Sequence, residues 1–201
     1  DVLGLISRQE KKSDELEEKR KKDIEILAAV INNSSVNGTD LLQILDTFKI
    51  SDLKIKIALW KGFENSGWIN RDYLASNNHV YMHVKELSVS LFQLGFQEYA
   101  LNGLKELSKI KTATGYDPEV YAWYGSSLTK RALFTQNNIQ KIDFVKEGIK
   151  YLDQAVFEFP DYAVVRYIRA NTYNSLPGIF NKNKMLKEDI IFLIDAYKNQ
   201  T

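Results

Sequence analysis

Cysteine is absent from this chain of 201 residues, and proline occurs only three times. Without thiols the chain has no disulfide framework and no thiolate chemistry. Because proline interrupts helices and glycine weakens them, three prolines and ten glycines leave room for long helices. The sequence also contains no run of about 18 apolar residues, so no segment has the pattern of a membrane-spanning helix.

An excess of charge of one sign is also missing, since 27 Lys and Arg balance 26 Asp and Glu. A dedicated nucleic-acid surface needs a basic excess or stripe, so we expect no nucleic-acid partner. Apolar residues make up 44% of the chain, which is enough for a sizeable core in one or two domains. The sequence begins at Asp1 rather than Met, so we expect membrane contact, if any, only through a preceding segment.

The first part of the chain, residues 1–78, is predicted to be a helical region of its own. Residues 8–23 are dense in charge of both signs, with several Glu four positions before Lys, and an apolar stripe follows. This pattern predicts one helix over about residues 9–32, which is either a solvated helix or a partner-binding helix. The candidate partner-binding residues of this region are Leu16, Ile24, Leu27, Ile31, Leu41 and Leu45.

Shorter helices are predicted to follow this first helix. Thr39 and Ser51 are suitable N-caps for two of them, and Gly67 is expected to end the second. Asn70 is expected to start a brief helix that runs to Leu74.

The second part, residues 79–201, carries a repeated pattern of helical hairpins. Its clearest unit places small residues where two helices would touch, at Gly125, Gly148 and Ala155, and ends its second helix at Pro160. A second unit begins at once and contains Ala170. This spacing resembles the tetratricopeptide repeat (TPR) family, whose unit is a hairpin of about 34 residues. The resemblance implies an all-α fold of TPR-like hairpins, an α-solenoid, with an N-terminal helical extension.

The chain departs from the repeat in two ways. Gly125 and Gly148 are 23 residues apart, about 11 more than the repeat has, so we expect an insertion that lengthens the helices or adds a loop. Arg166 and Arg169 stand where the repeat has apolar residues. Each arginine either pairs with an acid on a neighbouring helix, such as Asp189 or Glu158, or anchors a partner's carboxylate.

The resemblance also implies a concave wall formed by the first helix of each hairpin. The candidate partner-binding residues on this wall are Met82, Lys85, Phe92, Tyr167 and Asn171. The family's clamp for chaperone tails needs Lys and Asn at fixed places in successive repeats. Lys85 fits that clamp, but Val89 and Ser126 do not, so we do not expect this mode of carboxylate recognition.

Residues that could carry catalysis are sparse. His79 and His83 are the only histidines, and their spacing of four on a helix can hold a metal ion. No HExxH sequence, GxSxG sequence or phosphate-binding glycine loop accompanies them. We therefore expect ordinary histidines, no enzymatic activity, no cofactor and no small-molecule substrate.

Taken whole, the chain resembles a TPR-containing cell-envelope protein of spirochaetes of the Borrelia type. The resemblance implies a non-enzymatic scaffold, periplasmic or membrane-associated, that binds and stabilises another envelope protein in a heteromeric complex needed for infection. We expect the partner surface within about residues 1–60, with the concave groove as the second candidate. Two alternatives stay open, a structural homodimer through the N-terminal helix and a metal-dependent enzyme using His79 and His83.

Overall fold

A computed structural model describes residues 53–112 and 115–199, and these residues form eight α-helices joined by short connections. The predicted all-α class is confirmed for this part of the chain. The helix predicted over residues 9–32 and the six candidate residues from Leu16 to Leu45 lie outside the described residues. The chain divides into two compact units, Asp1–Trp68 and Ile69–Thr201, and the division predicted between residues 78 and 79 stays a prediction.

In the first unit, the described residues form helix α1, Leu53–Asn65. Gly67 has a φ of +69°, a conformation that favours glycine. The Trp68 amide donates to the Phe63 carbonyl at 3.0 Å, and the two rings stack with centroids 5.4 Å apart. This is a Schellman ending with its usual hydrophobic contact, so the prediction that Gly67 ends the helix is confirmed.

The second unit begins with three helices, which are α2 (Arg71–Ser76), α3 (Asn78–Gln93) and α4 (Gln97–Leu107). The Asn70 side chain accepts a hydrogen bond from the Tyr73 amide at 2.9 Å, so the predicted start of α2 is confirmed. Helices α3 and α4 pack against each other as a hairpin. A short antiparallel pair, β1 (Lys111–Thr112) and β2 (Gly115–Tyr116), leads to the next helix.

The next hairpin consists of α5 (Pro118–Arg131), a 3-10 turn (Ala132–Phe134) and α6 (Asn138–Glu158). Asp117 caps α5 by accepting hydrogen bonds from two backbone amides, and Pro118 occupies the first turn, where no N–H is needed. Helix α6 has 21 residues. The extra residues inferred from the sequence are therefore accommodated in the 3-10 turn, a short loop and a long second helix.

Helices α5 and α6 run antiparallel and touch through glycine. A Cβ atom added to Gly125 would lie 2.6 Å from the Gly148 carbonyl oxygen, and one added to Gly148 would lie 2.5 Å from the Gly125 carbonyl oxygen. Farther along the same pair, the Arg131 guanidinium lies over the Phe144 ring. The backbones approach so closely that no side chain fits between them at the two glycines.

The last hairpin consists of α7 (Ala163–Asn174), a 3-10 turn (Gly178–Phe180) and α8 (Asn183–Lys198). Helix α7 packs against α8 and also against α5 and α6. One continuous apolar cluster joins α5, α6 and α7, and its fully buried members include Ala122, Leu152, Val165 and Ile168. Among the residues of α8, only Asp189 is buried.

Candidate functional site

A groove of about 440 Å³ lies between the hairpins of the second unit. We define the groove by six residues from six segments, which are Phe92, Ser126, Leu133, Ile142, Asn171 and Ile179. Its floor comes from α3, α5 and α7, whereas its walls come from the 3-10 turn after α5, the first turns of α6 and the segment after α7. The extra residues of the second hairpin therefore contribute directly to a concave surface.

The walls of the groove expose apolar side chains. Leu133 is 77% exposed and Ile179 is 83% exposed, and Ile142 is exposed as well. Phe134 and Ile139, which neighbour the walls in sequence, are 72% and 73% exposed. Contiguous exposed apolar side chains are characteristic of surfaces that bind another molecule.

Among the residues that the structure describes, the only charged side chains that line the groove are Lys130 and Lys141. Neither forms an ion pair with any carboxylate of the residues that the structure describes. The Lys130 ammonium lies over the Phe92 ring, 4.4 Å from its centroid. The groove therefore combines apolar walls with unneutralised positive charge.

The floor of the groove is packed and hydrogen-bonded. Phe92 is buried and meets Trp123 edge to face, with centroids 5.3 Å apart. The Thr172 hydroxyl is 2.8 Å from both the Ser126 hydroxyl and the Ile168 carbonyl oxygen. The Asn171 side chain is exposed and makes no hydrogen bond to the described residues. Asn171 therefore offers both a donor and an acceptor to a bound molecule.

The structure brings only some of the sequence-derived candidates together. Phe92 and Asn171 line the same groove, whereas Met82 and Lys85 line a different cavity, of about 410 Å³. Tyr167 is 57% exposed on α7 and lines neither of them. The concave wall proposed from the sequence is therefore divided between two concavities.

Lys85 already has acidic partners within the chain. Its Nζ atom lies 2.8 Å from Asp117 Oδ2 and 3.2 Å from Glu119 Oε2. Burial alone would lower the pKa of Lys85, but the hydrogen bond and the negative charge of Asp117 outweigh burial and raise this pKa. The Tyr81 hydroxyl donates to the same carboxylate at 3.0 Å. This lysine therefore fastens α3 to the start of α5.

Arg166 and Arg169 both bind Asp189, one of the two acids named from the sequence. Arg169 holds Asp189 through two hydrogen bonds of 2.7 Å, and Arg166 donates to it at 2.8 Å. Asp153 on α6 extends the network, since it lies 3.2 Å from Arg169 Nη1 and 2.8 Å from Lys182 Nζ. Both arginines are thus engaged inside the protein, in the packing of α7 against α8 and α6.

The two histidines lie side by side on α3, with their Nε2 atoms 3.2 Å apart. Among residues 53–112 and 115–199, no group of three or more His, Asp or Glu residues is arranged to hold a metal ion. Within the same residues, no helix is both long and apolar enough to cross a membrane.

Sequence reasoning did not identify Lys130, Leu133, Lys141 and Ile179 as site residues. A weak signal exists in the chain, because the extra residues of the second hairpin include the adjacent apolar pair Leu133 and Phe134. An apolar pair inside a predicted connection is unusual, since connections lie at the surface and are mostly polar.

Comparison of the chain with protein-family models, with curated proteins and with solved structures finds no match. The assignment of a role therefore depends on the geometry of the groove and on the sequence pattern.

Proposed function

We propose that the protein is a non-enzymatic scaffold that binds another protein, and that its hairpins stack as TPR-like repeats. The observation that carries the proposal is the groove, where exposed Leu133, Ile142 and Ile179 surround a hydrogen-bonded floor. The close contact of Gly125 with Gly148 supports the repeat assignment, because small residues at the helix contact are part of the repeat pattern.

The proposed partner is another bacterial cell-envelope protein, in a heteromeric complex that stabilises both members and is needed for infection. The proposed location is accordingly the envelope, periplasmic or membrane-associated. The proposed partner, complex and location are based on the resemblance of the sequence to spirochaetal TPR proteins. Residues 1–60 and the groove are the two proposed docking regions, and a scaffold can use both at once.

Affinity purification of the tagged full chain from its native cell, followed by mass spectrometry, tests the scaffold proposal. We expect one envelope protein to co-purify in a near-stoichiometric amount, and we expect its level to fall when the gene for this chain is deleted. A tagged, unrelated envelope protein is the control. A chain that elutes alone, and whose deletion changes no other protein's level, would contradict the proposal.

Deletion of residues 1–37 then locates the docking region. Loss of the complex by a deletion variant with unchanged circular dichroism assigns binding to the N-terminal region. Undiminished binding by that variant assigns it to the groove.

A further inference from the structure

The lining of the groove restricts the chemistry of the segment that fits it. We propose that the groove binds an amphipathic protein segment in which apolar side chains alternate with carboxylates. The inference rests on the proposed scaffold function and names the class of partner at one of its two docking regions. It depends on the apolar walls, on two lysines that have no carboxylate partner among the described residues, and on the Asn171 amide, which makes no hydrogen bond to those residues.

The apolar walls require apolar side chains on the partner. Leu133 and Ile179, both more than three-quarters exposed, stand on separate segments that flank the opening. Covering such side chains removes apolar area from water, which stabilises a complex by about 25 cal/mol per Å² before the costs of association. A purely polar segment would leave the apolar side chains of these walls exposed to water, so their burial would add nothing to the binding free energy.

The charge of the groove requires carboxylates on the partner rather than ammonium groups. Lys141 is half-buried on the first turns of α6, Lys130 is exposed at the end of α5, and no Asp or Glu of the described part of the chain lines the groove. A basic segment would place like charges together in a partly desolvated groove, which opposes binding. An acidic segment meets two lysines that have no competing carboxylate among the described residues.

The Asn171 amide supplies a contact that does not depend on the partner's side chains. Its donor and acceptor can hydrogen-bond to a peptide group, which carries both complementary functions. A backbone contact of this kind favours an extended segment over a helical one, because a helix uses its own amides and carbonyls internally.

Fluorescence anisotropy of the full chain with labelled synthetic peptides tests the proposal. One peptide alternates Leu with Glu, a second alternates Leu with Lys, and a third alternates Ser with Glu. We expect binding of the first peptide alone, and we expect added salt to weaken it because carboxylate–lysine attraction is screened.

Two matched pairs of variants assign the binding to the groove. Ile179→Gln is expected to weaken binding of the Leu/Glu peptide about fivefold, as loss of one partly covered apolar side chain predicts. Phe157→Gln is its control, because Phe157 is 85% exposed and does not line the groove. Lys141→Glu is expected to weaken binding about fivefold to tenfold, whereas Lys146→Glu, which makes the same change of net charge on the exposed side of α6, should have no effect.

Four results would overturn the inference. The first is equal or tighter binding of the Leu/Lys peptide, and the second is no binding of the Leu/Glu peptide. The third is self-association of the chain that Ile179→Gln abolishes in light scattering, because a second copy would then occupy the groove. The fourth is a native complex that persists when Ile179 and Lys141 are replaced. That result would contradict the inference about the groove but not the scaffold function, whose docking region would then lie elsewhere.

Discussion

Gly125 and Gly148 determine how closely α5 and α6 approach. The atoms that a new Cβ would meet are mostly fixed, since they include the carbonyl oxygen of the other glycine in each case. At Gly148 the Cγ2 atom of Thr129 would also lie 2.6 Å away. Backbone atoms cannot rotate aside as the end of a flexible side chain can, so one methyl group forces the two helices apart.

We predict that Gly148→Ala lowers the free energy of unfolding by about 1 kcal/mol, because overpacking a close contact costs about 2 kcal/mol. The gain in helix propensity from the alanine, about 1 kcal/mol, is smaller than the strain. Urea unfolding followed by circular dichroism measures the difference.

Gly178→Ala is the matched control for this substitution. A Cβ there would meet no atom within 4 Å, and the backbone of Gly178 lies outside the left-handed region. We expect stability to be unchanged within about 0.5 kcal/mol. Equal unfolding midpoints for Gly148→Ala and the unsubstituted chain would show that the two helices are not held at this distance in solution.

At the scale of elements, the one fully buried side chain of helix α8 is charged. That side chain is the Asp189 carboxylate, to which Arg166 and Arg169 donate hydrogen bonds. Ile190, Ile191 and Ile194 on the same helix are 44%, 60% and 47% exposed. An ion pair in this position stabilises little relative to an apolar alternative, but removal of one member leaves an uncompensated buried charge.

We predict that Asp189→Asn destabilises the protein by about 3 kcal/mol, because two guanidinium groups lose their buried counter-charge. Glu188→Gln is the control, since Glu188 is exposed and lies 3.9 Å from Lys184. Loss of that surface pair should cost less than about 0.5 kcal/mol. Thermal unfolding of both variants measures the contrast, and equal melting temperatures would contradict it.

Arg169→Met distinguishes the two interpretations of the arginine that the sequence left open. If the role of Arg169 is structural, this substitution should lower stability, because Asp189 and Asp153 both lose a partner. A partner anchor predicts unchanged stability together with loss of the co-purifying protein. The hydrogen bonds favour the structural role.

At the scale of the whole molecule, several phenols resist ionisation in the fold. Burial raises the pKa of Tyr124 to about 12, and the hydrogen bond to Glu119 raises the pKa of Tyr162 to about 12. Burial, reinforced by Asp117, raises the pKa of Tyr81, and burial, reinforced by Asp153, raises that of Tyr173. The folded chain therefore holds these protons more tightly than the unfolded chain does.

We predict that stability falls steeply as the pH rises above about 10, where phenols of the unfolded chain ionise. The stabilisation that these phenols provide is fully present below that pH. It is lost as the pH rises through their raised pKa values in the folded state. Lys85, whose pKa is also raised, contributes with the same sign.

Urea midpoints measured from neutral pH to about pH 11 test this dependence. Tyr124→Phe removes one such phenol and should make the decrease of the urea midpoint with pH less steep. Replacement of the exposed Tyr197 by Phe should not change this decrease. A stability that stays constant through this range would contradict the prediction.

Features that depend on residues close together in the sequence could be predicted, whereas features that depend on distant residues could not. Helix ends depend on neighbouring residues, so Gly67 and Asn70 could be read directly from the sequence. The pairing of Arg166 and Arg169 with Asp189 was one of two options, because an arginine in an apolar place needs some counter-charge. The groove was not predictable in this way, since it depends on where Leu133 and Ile179, far apart in sequence, come together.

Asp117 both caps helix α5 and binds side chains of helix α3, so a change at one of these contacts affects the other. Its Oδ1 atom holds the first amides of α5, while its Oδ2 atom receives Lys85 and Tyr81 from α3. Fraying of the first turn of α5 therefore releases the carboxylate that α3 grips, and detachment of α3 loosens that turn. We therefore expect opening of the first turn of α5 and release of α3 to occur together, as one local unfolding event.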